Sequence, residues 1–307
     1  MARSTLADAN ARRPATLYAD VFATTATNVC RLTRRHRADA LVILDATWLE
    51  LSTLSAGWLK AQNGRRAVKM HVAYDLGASG PLGVSITDQR VSDIVPARDM
   101  VVEAGMTYVF DLAYYDYAWW AALDASGCRF VSRLKANTPL KTVAEQAVAE
   151  DPDILSDRIS FLPQRRMHAR RNPFADPVRE VTVRVATSKV IRLVTNDLDA
   201  PATEIAGLYK KRWQIELFFK WIKQNLKSRH FLGVNENAVL IQLFVAPIAH
   251  LLLRAAHQAQ NAVSQPLAFA CLVRINLMHR RPVNELTKPP QLPPFDVRQL
   301  TLNLQPN

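Results

Sequence analysis

Three carboxylates and one polar stripe carry the chemistry this sequence can do. Asp45 closes the apolar run Leu41-Val-Ile-Leu, Asp111 closes Met106-Thr-Tyr-Val-Phe, and Glu216 lies in Tyr209-Lys-Lys-Arg-Trp-Gln-Ile-Glu-Leu-Phe-Phe-Lys-Trp-Ile-Lys223. A lone aspartate at a strand end is ordinarily a turn or capping residue. The third segment says more. At about 100° per residue, Tyr209, Arg212, Glu216 and Lys223 fall within an arc of roughly 60°, while Trp213, Leu217, Phe218, Trp221 and Ile222 occupy the remainder. That spacing predicts a helix buried on most sides, with its polar stripe facing a groove. An ordinary amphipathic helix gives a similar pattern, with Arg212 and Glu216 paired at i,i+4 for only about 0.2–0.5 kcal/mol. A single acid among several cations on so apolar a helix fits a metal ion beside phosphates better than it fits solvation.

The spacing of Tyr209, Arg212, Glu216 and Lys223 resembles the YREK signature of IS4-family DDE transposases, as do Trp213 and the Glu-Leu-Phe-Phe run. Asp45, in Leu-Asp-Ala-Thr-Trp, resembles the family's first catalytic aspartate, and Asp111, in Val-Phe-Asp-Leu-Ala-Tyr-Tyr, the second. The resemblance runs from about residue 2 to residue 253 and includes Lys69, His71 and Thr195-Asn196-Asp197. It implies an α/β, RNase H-like mixed sheet flanked by helices, with a β-rich insertion before the catalytic helix. It also implies metal-dependent DNA cleavage and strand transfer. Two Mg²⁺ ions, with Mn²⁺ as a substitute, would be held by Asp45, Asp111 and Glu216, Asp45 bridging them. Tyr209, Arg212 and Lys223 would hold DNA phosphates. The implied partners are transposon ends and target DNA, bound by a homodimer. Two departures from the family pattern are Ala46, where Ser is common, and Ala113, where Gly is common and a tight turn would favour it. An RNase H-like nuclease that cuts without joining, and a transposase-derived DNA binder without catalysis, stand as alternatives.

The elements that must position these residues can be read from periodicity. Leu41–Asp45 reads as a buried strand that delivers its carboxylate at the C-terminal end. Residues 67–76 and 82–87 flank the turn Gly77-Ala-Ser-Gly-Pro81 as a hairpin. Pro96 opens a helix to about Ala104, 106–111 is a strand, 115–125 a helix stopped near Gly127, and 128–134 a further strand. Prolines interrupt 135–200, where 178–186 and 190–195 read as a separate hairpin. Helical periodicity returns from Thr203 to about Asn225 and again over 236–258. The resulting division is 1–40 as a helical lead-in, 41–135 as the first part of the core, 136–200 as the insertion, 201–260 as the catalytic and following helices, and 261–307 as a tail.

Bulk properties agree with a polyanion partner. Lys and Arg outnumber Asp and Glu by 39 to 27, giving a net charge of +12, and 49% hydrophobic residues can fill a core. The runs 31–37 and 165–171 could track DNA backbone, although a solvated surface stretch explains each equally well. Cys30, Cys128 and Cys271 are too scattered for a disulfide framework or a zinc site, and the N-terminus lacks a signal-peptide core, which fits the cytoplasm. The apolar stretch 238–253 is interrupted by Gln242, Pro247 and His250, and reads as a buried helix with no membrane role. Only 44 residues precede Asp45, so the expected form is an N-terminally truncated one. Such a chain would bind end-containing and unrelated duplexes within about tenfold of each other, against roughly 10³-fold for a specific binder.

Overall fold

A computed structural model of the protein describes residues 3–33, 40–52, 57–61, 64–148, 151–164, 171–185, 189–226, 231, 233–276 and 285. Residues 1–252 and 253–307 cluster as two compact units. In the second, the side-chain amide of Gln260 donates to the Val263 carbonyl at 2.8 Å, in the turn before α8 (Pro266–Asn276).

The sheet of the first unit grows outward from β1 (Leu41–Glu50). On one side β1 pairs antiparallel with β2 (Ala67–Asp75), which pairs antiparallel with β3 (Gly80–Asp88). The expected hairpin is present. Asp75 accepts a hydrogen bond from the Ala78 amide at 3.0 Å, and Ser79 closes the turn at φ 52°. On its other side β1 runs parallel to β4 (Thr107–Val109), which runs parallel to β5 (Arg129–Arg133). Parallel neighbours require crossovers. Here α3 (Ile94–Arg98) and a 3₁₀ turn (Leu112–Tyr114) bracket β4, and α4 (Tyr117–Ala125) leads into β5. Asp116 caps α4 by accepting from the Trp119 amide at 2.9 Å, and Gly127 ends it in the left-handed region at φ 69°.

Four more strands extend the sheet: β6 (Lys141–Glu145), β7 (Ile154–Phe161), β8 (Val178–Arg184) and β9 (Val190–Thr195). The strand order is β3-β2-β1-β4-β5-β9-β8-β7-β6. The last two strands were expected as a hairpin set apart. Instead β9 pairs antiparallel with β5, Val131 opposite Thr195, so all nine strands share one ladder. Asn196 locks this seam: its side chain accepts from the Phe130 amide at 2.9 Å and donates to Asp124 at 2.6 Å and to the Cys128 carbonyl at 2.9 Å.

Side chains alternate between the two faces of a strand. Val42, Leu44, Tyr108, Phe110 and Phe130 point to the face covered by α4, where Trp119, Trp120 and Leu123 fill the core. Ile43, Val72 and Tyr74 point to the opposite face, under Ile215, Phe218, Phe219 and Ile222 of α6 (Gln214–Leu226) and Val239 and Leu243 of α7 (Glu236–Gln258). Val109, Val131 and Leu193 continue that face beneath Ala202 and Ile205 of α5 (Ala202–Lys211). At the N-terminus, α1 (Arg3–Arg12) and α2 (Ala15–Thr33) precede the sheet, and α2 packs on β3.

Several expectations change. β1 runs five residues beyond Asp45, so this carboxylate sits mid-strand, because Thr47 and Leu49 are buried and prolong the alternation. The helix around Pro96 spans only five residues. The stretch from Thr203 to Asn225 is two helices, broken at Arg212–Trp213. Trp213, in the break, is 66% exposed, and Leu217 of α6 is 62% exposed, so α6 is buried on one side only. The same holds for α7: Ala238, Val239, Ile241, Leu243 and Ala246 are buried and Val245 is exposed. With 23 residues, α7 is long and apolar enough to cross a membrane by length and composition alone. Residues 34–39 and 165–170, the bulk of the two basic runs, lie outside the described residues.

Candidate active site

Strand register brings the first two acids together. In the parallel part of the sheet Ile43 lies opposite Val109, and Val109 opposite Val131. Two residues further along come Asp45 within β1, Arg133 at the end of β5 and, past the end of β4, Asp111 in extended backbone, which alternation directs toward the same face. That face is the one under α5 and α6. Asp111 is the N-cap of the 3₁₀ turn, its carboxylate accepting from the Ala113 amide at 2.8 Å. Ala113 lies within that turn, and Ser79 is the only non-glycine residue with positive φ among those described. No glycine is needed at 113, which removes the concern over this departure.

The helix break supplies the third partner. From 212 to 216 the backbone bonds reach three residues back: Arg212 to Tyr209, Trp213 to Lys210, Ile215 to Arg212 and Glu216 to Trp213. Such bonding winds the chain more tightly than an α-helix, so the helical wheel drawn across this segment does not hold through it. Arg212 turns to the sheet, and its Nη1 donates to Asp45 Oδ2 at 2.6 Å. In place of the i,i+4 pairing with Glu216 that an ordinary amphipathic helix would make, Arg212 contacts a residue 167 positions away.

Asp45 is held as a carboxyl of unusual proton affinity. Burial raises its pKa from 3.8 to about 6; the Ala46 amide and Arg212 oppose the rise, and the charges of Asp111 and Glu216 add to it. The three acids are thus within electrostatic reach of one another. Among the described residues, however, no group of three His, Cys, Asp or Glu side chains is close enough to hold a metal ion as it stands. Tyr209 joins the cluster from α5. Burial raises its hydroxyl pKa, and the guanidinium groups of Arg212 and Arg133 pull it back, Arg133 also through a hydrogen bond. Lys223 is exposed and lines a shallow recess on α6 with Glu216, Phe219, Lys220 and Gln224.

Arg133 is the residue that sequence reading missed. Its Nε is buried without an acceptor among the described residues, close to Tyr209. Its one sequence signal was an arginine ending an apolar strand run, Phe130-Val-Ser-Arg133.

A family model described as "Transposase DDE domain" matches residues 36–252, a span that contains every residue of this cluster. The chain belongs to the DDE transposase family. A protein of Sinorhizobium fredii named as a candidate transposase, y4zB, is 40% identical over 289 residues, 94% of this chain and 81% of its own length. A Geobacillus stearothermophilus protein, named as a transposase candidate for insertion sequence element IS5377, is 31% identical over 237 residues, 76% of this chain and 61% of its own. Among solved structures, a piggyBac transposase synaptic complex with hairpin DNA aligns at TM-score 0.46 and 10% identity, covering 87% of this chain and 58% of that one; so loose an overlay supports no transfer of detail. The protein is a DNA transposase, an enzyme that cuts DNA and transfers strands.

Proposed function

We propose that this transposase works as an IS4-like DDE enzyme with Asp45, Asp111 and Glu216 as its metal-binding carboxylates. The reading is supported by the parallel pairing of β1 with β4, past whose end Asp111 lies, and by the charges of Asp111 and Glu216, both of which add to the raised proton affinity of Asp45. The donor set fits Mg²⁺ or Mn²⁺, which take oxygen ligands. Asp45 is a desolvated carboxylate beside two more acids, ion-paired directly with one guanidinium. Two divalent ions in such a site supply an activated water or 3′-hydroxyl and stabilise the leaving oxygen.

The chain's own groups have distinct tasks. Arg212 holds Asp45 in place and, with Tyr209 and Lys223, offers donors to DNA phosphates. Arg133 is a fourth such donor. Phosphate contacts of this kind position DNA without reading its bases. The strand order β3-β2-β1-β4-β5, with one antiparallel flank and a parallel centre, supports an RNase H-like core. On this reading β6 to β9 form a β-rich insertion continuous with that core, and the enzyme acts in the cytoplasm as a homodimer on transposon ends and target DNA.

The deciding experiment is a cleavage and joining assay on DNA bearing the ends of the element that encodes this protein, with Mg²⁺, with Mn²⁺ and with EDTA. Cleavage and strand-transfer products that require the divalent ion are expected. Products that form equally in EDTA would overturn the metal role of the three acids.

A further inference from the structure

The face of the sheet opposite the acids holds a second group of buried charges. Lys69 on β2, directly across from Trp48 on β1, is 9% exposed. Its ammonium donates to Asp93 Oδ1 and to the Val91 carbonyl, both at 2.8 Å. Asp93 stands at the N-cap of α3, yet its carboxylate makes no capping bond to the helix; it serves Lys69 instead. His71, also buried, bonds Thr87 through Nε2 at 2.8 Å and keeps Nδ1 3.6 Å from Asp93. Burial lowers the pKa of this ring to about 4, against the pull of Asp93, so Lys69 is the counter-charge of Asp93 at neutral pH.

From this pair a chain of contacts leads to the active site. α3 packs against the 3₁₀ turn. Arg98, at the end of α3, pairs with Asp116 at 2.6 Å, and Asp116 caps α4. The segment that presents Asp111 is therefore braced from both ends. Tyr114, its last residue, is buried and lines a cavity of about 400 Å³ together with His71, Asp93, Ala97 and Met100. Its hydroxyl pKa is raised by burial and then by the charges of Asp93, Asp45 and Asp111.

We propose that Lys69 and Asp93 are a positioning pair for Asp111: by pinning residues 91–93 to β2 they seat α3, and α3 fixes the turn that aims the Asp111 carboxylate. This rests on the reading of Asp111 as a metal ligand. Both residues act here through α3 and the turn, from the face of the sheet opposite the acids. Partners that orient metal ligands typically change metal affinity or activity by about 10–100-fold when removed.

The test separates positioning from stability. Lys69→Met leaves Asp93 without its cation and lowers Tm; the double variant Lys69→Met/Asp93→Leu replaces the ion pair by apolar groups and regains most of that loss. In both, the hydrogen bond to Val91 is gone. The Mg²⁺ concentration for half-maximal cleavage is expected to rise about tenfold in both, with DNA affinity in EDTA within about twofold of wild type. A readout independent of activity is backbone scission by Fe²⁺ and peroxide on the full chain. Wild type is cut near Asp45 and near Asp111, and both variants lose the second cut while keeping the first. Retention of the cut near Asp111 in Lys69→Met, or its return together with Tm in the double variant, overturns the proposal. Absence of that cut from wild type shows instead that the metal-site reading fails, and the brace then has nothing to hold.

Discussion

The two faces of the β1–β2 ladder bury charge in opposite ways. On one, Asp45 shares its surroundings with Asp111 and Glu216 and has Arg212 as its ion-pair partner; on the other, Lys69 and Asp93 neutralise each other beside an uncharged histidine. Burial moves both titrating groups toward their neutral forms, raising Asp45 to about 6 and lowering His71 to about 4. The difference lies in the groups gathered around them. The second face is balanced and can serve as scaffold. The first gathers three carboxylates, among them an Asp45 whose proton affinity is raised, with the Arg212 guanidinium on Asp45 itself, a setting in which a divalent cation would find oxygen ligands.

The largest effect should come from removing these acids. Asp45→Ala, Asp111→Ala and Glu216→Ala are each expected to lower cleavage by on the order of 10³-fold while DNA affinity stays close to wild type, since affinity comes mainly from phosphate neutralisation. Gel-shift and cleavage assays on the same preparations check both halves, and full cleavage by any one of the three would remove that residue from the site. Next in size, Arg212→Ala and Lys223→Ala should weaken binding to all sequences by about tenfold and reduce the salt slope by about 1. A change in sequence preference would contradict the phosphate role. Arg212→Ala should also raise the Asp45 pKa further, which NMR titration of the carboxyl would show; Lys223→Ala should not.

Opposite pH dependences would sharpen the contrast. The folded pKa of Asp45 lies above its unfolded value of 3.8, so its ionised form weakens the fold above about pH 6, and acidification toward pH 4 relieves this. His71 behaves in reverse: its neutral ring stabilises fully above pH 6.5, and that contribution is lost as pH falls toward 4. Asp45→Asn should therefore gain stability over wild type at pH 7.5 by on the order of 1–2 kcal/mol and lose most of that gain at pH 4.5. His71→Gln should show its larger deficit at pH 7.5. Urea unfolding at both values checks the signs, and parallel behaviour of the two variants would refute the contrast. The smallest effect concerns the start of α6 and the break before it, where Leu217→Ala and Trp213→Ala should each change stability by no more than about 0.5 kcal/mol, because both side chains are exposed. A loss of about 2–5 kcal/mol would mean that they are buried as periodicity alone suggested.

What was legible in the sequence depended on local signals. The apolar run into Asp45, the hairpin around residues 76–79 and the paired spacing of Arg212 and Glu216 all announce themselves within a few residues. β6 and β7 did not, since Lys141–Glu145 is exposed throughout and becomes a strand only by pairing with β7. The break at 212–213 has no proline or glycine to mark it; it follows from Arg212 reaching Asp45 across 167 residues. Arg133 was invisible for a related reason. Its importance comes from the parallel register of β5 with β4, which no pattern within Arg129–Arg133 encodes.

The seam between β5 and β9 sets a waiting time. β5 ends at Arg133 and its second neighbour begins at Val190, so a ribosome adding about 5–20 residues per second leaves roughly 3 to 11 seconds between them. During that interval the strand that carries Arg133 and flanks Asp111 has an open edge, which any other extended segment can join. Faster elongation between the two strands should therefore raise the yield of soluble transposase.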